Sequence, residues 1–253
     1  MDVTYDFSSK NFIVIGASSG MGRQIAEELA GAGAHVLAVA RREELLHKLQ
    51  EKYPEHISIA PADMTAARPL DGVLAPFVAE FGKLHGAVYT AGIEGLTPLR
   101  AFSEETARMI METSFWGAIK AMQLINQRKF SVDGCSSVLF SSISAYTGAS
   151  SMFAYSAAKA AVQAAVRSIA KEICRNGKRI NTISPGWVET EMTDREQNQL
   201  GEDALSVLKK RHLLGFGEPA DVSGVVLFLL SDRARWITGN DFLVDGGYLW
   251  GDG

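Results

Sequence analysis

The sequence predicts a doubly wound α/β domain with a seven-stranded parallel sheet and helices on both faces. Short apolar runs alternate with longer amphipathic stretches along the chain, and such alternation builds right-handed βαβ units. Several runs are continuously apolar, as in strands that are buried on both faces. No repeat, low-complexity tract or Pro/Ser-rich linker interrupts the pattern, so we expect one domain over residues 1–253.

Each predicted element follows from its own local pattern. The candidate strands are Asn11–Ile15, His35–Ala40, Ile57–Ala60, Ala87–Tyr89, Ser137–Phe140, Ile180–Ile183 and Phe242–Val244. The candidate helices are Gly22–Ala32, Glu43–Tyr53, Ser103–Lys129, Phe153–Arg175 and Ala220–Leu230. Pro54 and Pro219 mark helix boundaries. The polar segment Glu189–Leu214 follows a strand end and breaks the rhythm, which predicts an insertion that covers the substrate.

Composition excludes several classes of protein. The net charge of -4, with acids and bases mixed along the chain, predicts no nucleic-acid partner. No apolar run reaches the roughly 18 residues of a membrane span, and no secretory signal precedes the first strand, so we expect a cytoplasmic protein without membrane contact. Cys135 and Cys174 are expected to be buried free thiols. The histidines lack metal-ligand spacing, so we predict no metal.

A glycine-rich turn follows the first predicted strand and precedes the first helix. Its GxxxGxG spacing lets the backbone approach a pyrophosphate, while the helix start supplies free N–H groups and a positive dipole end. The alternative is a glycine-rich turn that binds nothing. The residues predicted to bind a dinucleotide here are Gly16, Ser18, Ser19, Gly20, Met21 and Gly22.

The second predicted strand ends at Ala40 and is followed by Arg41 and Arg42. A site specific for NAD usually places an acid here for the adenosine ribose hydroxyls, and an acid would repel a 2′-phosphate. A planar, permanently charged guanidinium matches phosphate instead. The pair therefore predicts NADP, the alternative being a solvated basic pair with Glu43 and Glu44 as partners.

Two more turns at strand ends are predicted to contact the cofactor. Asp63, with Met64 beside it, follows the third strand and is placed to accept from the adenine amino group, although a surface turn would also suit an Asp. The Pro-Gly turn after the sixth strand redirects the chain sharply and would meet the nicotinamide carboxamide, unless it is an ordinary turn. Its predicted contacts are Pro185, Gly186, Val188 and Thr190.

Tyr155 and Lys159 have the i, i+4 spacing that places two side chains on one face of a helix. A free phenol has a pKa of about 10, which is too high for proton transfer near neutrality. A neighbouring ammonium lowers such a pKa, so the pair predicts an acid/base group. Ser142, at the end of the fifth strand, is predicted to hold the substrate oxygen. An exposed, unrelated Tyr–Lys pair is the alternative.

With these motifs together, the chain resembles the short-chain dehydrogenase/reductase family in its single-domain form. The matching motifs are Gly16–Gly22, Ser142, Tyr155, Lys159, Ser184–Gly186, Ile237–Asn240 and Val244–Gly247. The resemblance implies a Rossmann sheet, a homotetramer, and hydride transfer between nicotinamide and a carbonyl or alcohol. It also implies Tyr155 as general acid/base, Lys159 as ribose binder and Ser142 as substrate-oxygen binder.

The chain departs from the family pattern at two places. The usual Asn-Asn-Ala-Gly turn is Tyr89-Thr90-Ala91-Gly92 here. Ala91 and Gly92 still permit contact with the adenosine ribose, but Thr90 or another group must brace the sheet. Ser114 stands where the family has an Asn that supports a water in the proton relay, and it is the fourth predicted catalytic residue. Its hydroxyl keeps a donor and an acceptor on a shorter side chain.

The sequence defines the substrate class less closely than it defines the cofactor site and the catalytic residues. The subgroup that looks nearest is the 3-oxoacyl-carrier-protein reductase type, which implies that an acyl carrier could be a partner at Arg128, Lys129 and Lys171; solvated helix-end charges are the alternative. The insertion has an apolar side, and Met152, Phe153 and Trp187 are further candidates for lining the same pocket. The apolar residues of the insertion are Met192, Leu200, Leu205 and Leu208.

Two further hypotheses stay open beside the NADP-dependent oxidoreductase. Ser114 and the altered Tyr89-Thr90 turn motivate a catalytically weak NADP-binding regulatory or assembly subunit. An enzyme of the same chemistry that acts on a sugar or cyclic polyol is the other, and it would need polar groups around the insertion.

Overall fold

Seven parallel strands form one sheet in the computed structural model, which describes residues 3–67, 70, 72–193 and 202–251. The strand order is β3-β2-β1-β4-β5-β6-β7. All neighbouring strands pair in parallel. The strands are β1 (Asn11–Ile15), β2 (His35–Ala40), β3 (Ile57–Pro61), β4 (Leu84–Tyr89), β5 (Ser131–Phe140), β6 (Arg179–Pro185) and β7 (Asp241–Val244). The predicted seven-stranded parallel sheet is confirmed.

Helices of the described residues connect these strands. They are α1 (Gly20–Gly31), α2 (Glu43–Lys52), α3 (Leu74–Phe81), α4 (Glu104–Met111), α5 (Gly117–Ile125), α6 (Ser144–Thr147), α7 (Phe153–Ile173), α8 (Glu202–Arg211) and α9 (Pro219–Leu230). Ser103 caps α4, since its hydroxyl accepts from the Thr106 N–H at 3.2 Å. At the start of α9, the Asp221 carboxylate accepts from the Glu218 N–H at 2.7 Å and Pro219 takes the first position.

Successive strand residues point to opposite faces of the sheet and pack into two separate hydrophobic cores. On β1, Phe12 and Val14 join one buried cluster, which includes Leu29 of α1 and Val226 of α9. The intervening residues join the other cluster, formed with α3, α5 and α7, whose members include Ile13, Ile15, Phe77, Ala121 and Val166. The four apolar residues Phe12–Ile15 thus bury both faces of β1, which explains the continuous apolar run and confirms helices on both sides of the sheet.

The structure corrects three expectations. The predicted helix Ser103–Lys129 is interrupted by a π-helical turn at Glu112–Trp116. Helix α3 was not predicted: it has no capping side chain, and its third residue is a proline, which the first helical turn tolerates. Cys135 is buried as expected, but Cys174 is exposed. Among the described residues, no helix is both long and apolar enough to span a membrane.

The carboxyl ends of all strands lie at one edge of the sheet, where the strand order reverses between β1 and β4. This switch point is where open α/β sheets bind ligands. The turns after β1, β2, β3, β4, β5 and β6 meet there, and they carry most of the residues singled out by the sequence.

Candidate functional site

A cavity of about 810 Å³ opens at this edge, and the glycine-rich turn after β1 forms its floor. Gly16 has φ +98°, which favours glycine. A Cβ on Gly16 would overlap the Thr90 hydroxyl, and one on Gly22 would overlap the Gly16 carbonyl oxygen. Only glycine therefore fits at these two positions of the turn, which we call the glycine cradle. All six residues predicted here line the cavity: Gly16, Ser18, Ser19, Gly20, Met21 and Gly22.

Thr90 takes over the bracing role that the altered turn had left open. The N–H groups of Thr90 and Ala91 donate to the Ile15 carbonyl at 2.8 and 3.2 Å. The Thr90 hydroxyl donates to the same carbonyl at 3.0 Å. These bonds tie the end of β4 to the start of the glycine turn. Ala91 and Gly92 line the cavity, as expected from their place in the sequence.

A cluster of hydroxyl and guanidinium groups forms the end of the cavity beyond β2. The Arg42 guanidinium donates to the Ser18 hydroxyl at 2.9 Å and also to the Ser19 hydroxyl. Arg41 lines the same cavity, and its charge helps to lower the pKa of Asp63, after a larger effect from the Thr65 N–H that donates to this carboxylate. Positive charge and hydrogen-bond donors thus concentrate at this end.

The turn after β3 completes this end of the cavity. Asp63 is exposed and Met64 is buried, with 4% of its surface exposed. Both residues line the cavity, so the structure brings them to the same edge as Arg41 and Arg42.

A smaller cavity of about 110 Å³ adjoins the first and contains Tyr155, Lys159 and Ser142. The Lys159 ammonium nitrogen lies 5.5 Å from the centre of the Tyr155 ring. Ser142 accepts from the Ser144 N–H at 3.1 Å through its hydroxyl oxygen, which leaves the hydroxyl proton able to donate elsewhere. The three residues that the sequence predicted to act together therefore share one recess.

Two hydrogen bonds fix α7 against the end of β5. Lys159 donates from its side chain to the Phe140 carbonyl at 2.9 Å, and the Ser141 hydroxyl donates to the Lys159 carbonyl at 3.0 Å. Burial lowers the pKa of Lys159 to about 8, an effect that the negative charge of Glu94 partly opposes. The side chain is thus still largely protonated at neutral pH, with two N–H donors beyond the one given to Phe140.

Ser114 lies on the π-helical turn between α4 and α5. Its hydroxyl is buried and has no hydrogen-bond partner among the described groups. A Cβ on Gly92 would lie 3.4 Å from this hydroxyl and 3.4 Å from the Lys159 nitrogen, so both groups face the same small region. The buried Tyr89 hydroxyl donates to the Thr113 carbonyl at 2.6 Å and so holds the turn. This bond ties the end of β4 to the residue that precedes Ser114.

The turn after β6 contributes the last set of predicted cofactor residues. Thr190 lines both cavities, and Pro185, Gly186 and Val188 line the smaller one. His212, just after α8, accepts from the Trp187 N–H at 3.0 Å through Nε2, while its Nδ1 lies 2.8 Å from the Leu208 carbonyl. This pattern assigns the tautomer with the proton on Nδ1.

Sequence reasoning missed two acids that lie in the site. Glu94 lines both cavities, two residues after Gly92. Glu191 reaches back to the start of α1, where it accepts from the Gly20 N–H at 3.1 Å and pairs with Arg23 at 3.2 Å. Glu94 could have been predicted, because it is an acid that closely follows the Ala91-Gly92 turn already expected to contact the ligand. The contact of Glu191 with Gly20 joins residues distant in sequence, and no local pattern indicates it.

The insertion is described in part, because residues 194–201 and hence Leu200 lie outside the described residues. Met192 lines both cavities and Met152 lines the larger one. Leu205 and Leu208 are half-buried on α8 and are not among the described residues that line either cavity. Of the apolar residues predicted on the insertion, Met192 is thus the described one that lines the site.

Other residues considered for the substrate side lie elsewhere. Trp187 stacks on Phe216 with the ring centres 5.5 Å apart, and Phe153 lies beside Phe102 at 5.4 Å. The basic residues considered for an acyl carrier are exposed and lie at the edge opposite the cavities. Arg128 and Lys129 lie between α5 and β5, and Lys171 lies in the last turn of α7. A carrier bound there would not lie over the cavity of the same chain.

Comparison with known proteins places this geometry among related enzymes. Residues 16–249 match the family model described as enoyl-(acyl carrier protein) reductase. A diacetyl reductase of Staphylococcus epidermidis, described as (S)-acetoin forming, is 29% identical over 96% of this chain and 99% of its own length. A 3-oxoacyl-acyl-carrier-protein reductase of Staphylococcus aureus is 28% identical over 94% of this chain and 98% of its own.

The fold has a close match among solved structures. A short-chain type dehydrogenase/reductase from Mycobacterium ulcerans superposes with a TM-score of 0.91 at 27% identity. The superposition covers 98% of this chain and 92% of the other.

Proposed function

Because the chain belongs to the short-chain dehydrogenase/reductase family, we propose that it is an NADP-dependent oxidoreductase that acts on a carbonyl compound or the corresponding secondary alcohol. The sequence resemblance to this family is confirmed, and so is the oxidoreductase class. The choice of NADP, the roles of individual residues and the substrate are the parts that we propose.

One observation carries the choice of NADP: the Arg42 guanidinium lies on the hydroxyls of Ser18 and Ser19 at the end of the cavity beyond β2. With Arg41 beside it, just after β2 where an NAD-specific site usually has an acid, this corner offers charge and donors suited to a phosphate dianion. The expected contacts of a 2′-phosphate are Arg41, Arg42 and Ser18.

The glycine cradle supports a dinucleotide in the larger cavity. Backbone atoms and Thr90 already occupy the space that a Cβ on Gly16 or Gly22 would take, so glycine at these positions lets the turn pack tightly and form the floor of the cavity. The residues that would hold the dinucleotide are those of this turn, with Asp63 and Met64 at the adenine, Ala91 and Gly92 at the ribose, and Pro185, Gly186, Val188 and Thr190 at the nicotinamide. When bound, the nicotinamide supplies or accepts the hydride.

Residues of the chain itself supply the proton that the substrate oxygen receives during reduction. Tyr155 donates its phenolic proton to the substrate oxygen during reduction, and the neighbouring Lys159 ammonium stabilises the phenolate that remains. Ser142 donates its free hydroxyl proton to the same oxygen and holds it in place. Ser114 shares a buried region with Lys159, where a water between them would return a proton to the lysine.

Substitution at the two arginines tests the choice of cofactor. Arg41→Asp and Arg42→Asp, made singly, should each lower the ratio of kcat/KM for NADPH over NADH by about tenfold or more, because each replaces a phosphate partner with a repelling charge. Lys48→Asp, on the exposed side of α2, is the matched control. An unchanged ratio in both arginine variants would refute NADP specificity through this corner.

Turnover separates the enzyme from the regulatory subunit. We propose assaying loss of reduced-nicotinamide absorbance with diketones and 3-oxoacyl thioesters, the substrate classes suggested by the relatives, and with simple ketones. Tyr155→Phe should lower turnover by a factor of about 100 or more and leave the cofactor Kd within about twofold. Tight NADPH binding with no turnover across the panel would favour the regulator.

We also propose that the chain works as a cytoplasmic homotetramer. Large apolar side chains are exposed on the π-helical turn and near the C-terminus, Trp116 at 47% and Trp250 at 77%, and such surfaces are typical of subunit interfaces. Light scattering of the purified protein tests the assembly, and a monomer at micromolar concentration would contradict it.

A further inference from the structure

The chain just after β6 is held along one side by the loop that follows α8. The Gly217 N–H donates to the Trp187 carbonyl at 3.0 Å, and the Glu189 N–H donates to the Gly217 carbonyl at 2.8 Å. In such a parallel bridge, the N–H and the carbonyl of the residue between, Val188, both point away from Gly217. The Val188 carbonyl accepts there from the Thr193 hydroxyl at 2.8 Å, and Val188 and Thr193 line the smaller cavity. The loop therefore decides that the Val188 N–H faces this cavity.

His212 makes a further contact on the same side and joins it to α8. Its Nε2 accepts from the Trp187 N–H at 3.0 Å, and its Nδ1–H donates to the Leu208 carbonyl, in the last turn of α8, at 2.8 Å. A Cβ on Gly186 would lie 3.0 Å from Nε2, so the Pro-Gly turn packs directly against the ring. The imidazole thus links the end of the helix to the turn after β6.

The surroundings of the ring keep it in the orientation and the protonation state that this contact needs. His212 is 3% exposed, and its ring centre lies 4.7 Å from that of Tyr248 and 5.4 Å from that of Phe216. Burial lowers the pKa of His212, although the Leu208 carbonyl and the negative charge of Asp245 oppose this effect. The imidazole is therefore largely neutral at pH 7, with the proton on Nδ1 and Nε2 able to accept.

We propose that His212 is a positioning residue for the nicotinamide half of the cofactor, because its bond to the Trp187 N–H fixes the segment whose Val188 N–H faces the smaller cavity. This inference rests on the proposed function for the place of the nicotinamide. It goes beyond that function, since His212 is not among the described residues that line either cavity. The adenosine half, which the larger cavity would hold, should bind independently of His212.

Two substitutions at His212 test the bond itself. Gln places its amide oxygen as many bonds from Cα as Nε2 and can accept from the Trp187 N–H, whereas Asn reaches only as far as Nδ1. By calorimetry, the Kd of NADPH should rise about five- to tenfold in His212→Asn, as expected for one lost hydrogen bond, and stay within about twofold of wild type in His212→Gln. The adenosine half alone, 2′,5′-ADP, should bind all three proteins equally.

Two results of this comparison would overturn the proposal. Equal NADPH affinities in the Asn and Gln variants would show that the bond to Trp187 does not matter. Weaker binding of both NADPH and 2′,5′-ADP in His212→Asn would show a general structural role. Hydrogen exchange of wild type gives a test without any variant: the Trp187 amide should exchange far more slowly than in an unstructured chain, and exchange at the unprotected rate would also overturn the proposal.

The proposed function and this inference fail in different measurements. If wild type binds NADH and ADP more tightly than NADPH and 2′,5′-ADP, the proposed choice of NADP is wrong. The comparison of His212→Asn with His212→Gln is then made with NADH and ADP, and the same outcomes decide it. Missing turnover in wild type counts against the proposed enzyme alone, because the binding comparison needs no reaction.

Discussion

Removal of the Tyr89 hydroxyl should destabilise the fold by about 1–3 kcal/mol, the usual cost when a buried hydrogen bond loses one partner. Tyr89 is 2% exposed, and its hydroxyl donates to the Thr113 carbonyl at 2.6 Å. Burial raises the pKa of this phenol, so it remains a donor at all ordinary pH values. Tyr89→Phe leaves the carbonyl without that donor and opens a small gap beside Gly117, on which the hydroxyl packs.

Urea denaturation at a single protein concentration measures this loss, since an oligomer's stability depends on concentration. Tyr146→Phe is the control: its hydroxyl donates to Asp241 at 2.6 Å, but 49% of Tyr146 is exposed, so the cost should stay below about 0.5 kcal/mol. Because Tyr89 supports the turn that carries Ser114, kcat should also fall several-fold with little change in cofactor Kd. Equal stabilities for the two variants would refute this reasoning.

Three further outcomes are expected. Gly22→Ala should abolish cofactor binding and destabilise the chain by about 1–3 kcal/mol, because its Cβ would overlap the Gly16 carbonyl. Gly31→Ala is the control and should bind the cofactor normally, because its Cβ meets nothing within 4 Å. Normal cofactor binding by both variants would contradict the role of the glycine cradle. Burial lowers the pKa of Lys159 from 10.5 to about 8, so the unfolded chain binds the extra proton between those values. The free energy of unfolding of wild type should therefore rise from pH 8 to 10.5 relative to Lys159→Met by on the order of 3 kcal/mol; parallel pH curves from denaturant titrations would argue against a buried ammonium. A thiol reagent should label native protein once, at the exposed Cys174, because burial raises the pKa of Cys135 to about 12; Cys174→Ser should then remain unlabelled, and two equally fast labels would disprove the assignment.

The local sequence pattern was enough to predict the strands and most of the turns that face the ligand. Ile13 and Val14 point to opposite cores, and that double burial is what a continuous apolar run encodes. The turns that follow such strands must meet at one edge of a parallel sheet. The positions of Arg41, Ser142 and Pro185 therefore followed from strand identity alone.

The remaining features depend on contacts between distant parts of the chain. The π-helical turn is held by Tyr89, which lies 24 residues before its acceptor Thr113, so helical periodicity gave no sign of it. Cys174 lies at the exposed end of α7, where apolar character alone suggested burial. Glu94 was overlooked because its environment includes Lys159, which is brought to it by the packing of α7.

The contacts of Thr190 and Glu191 with the start of α1 imply an order in which ligands enter and leave. A Cβ on Gly20 would lie 3.2 Å from the Thr190 methyl group, and Glu191 holds the Gly20 N–H. The next residue, Met192, forms part of the wall of the smaller cavity. A pyrophosphate that took over the Gly20 N–H would compete with Glu191 and shift the neighbouring wall of the smaller cavity, so we expect the dinucleotide to bind before the organic substrate and to leave after it. Product-inhibition kinetics would then be competitive between the two forms of the cofactor and mixed for the organic product.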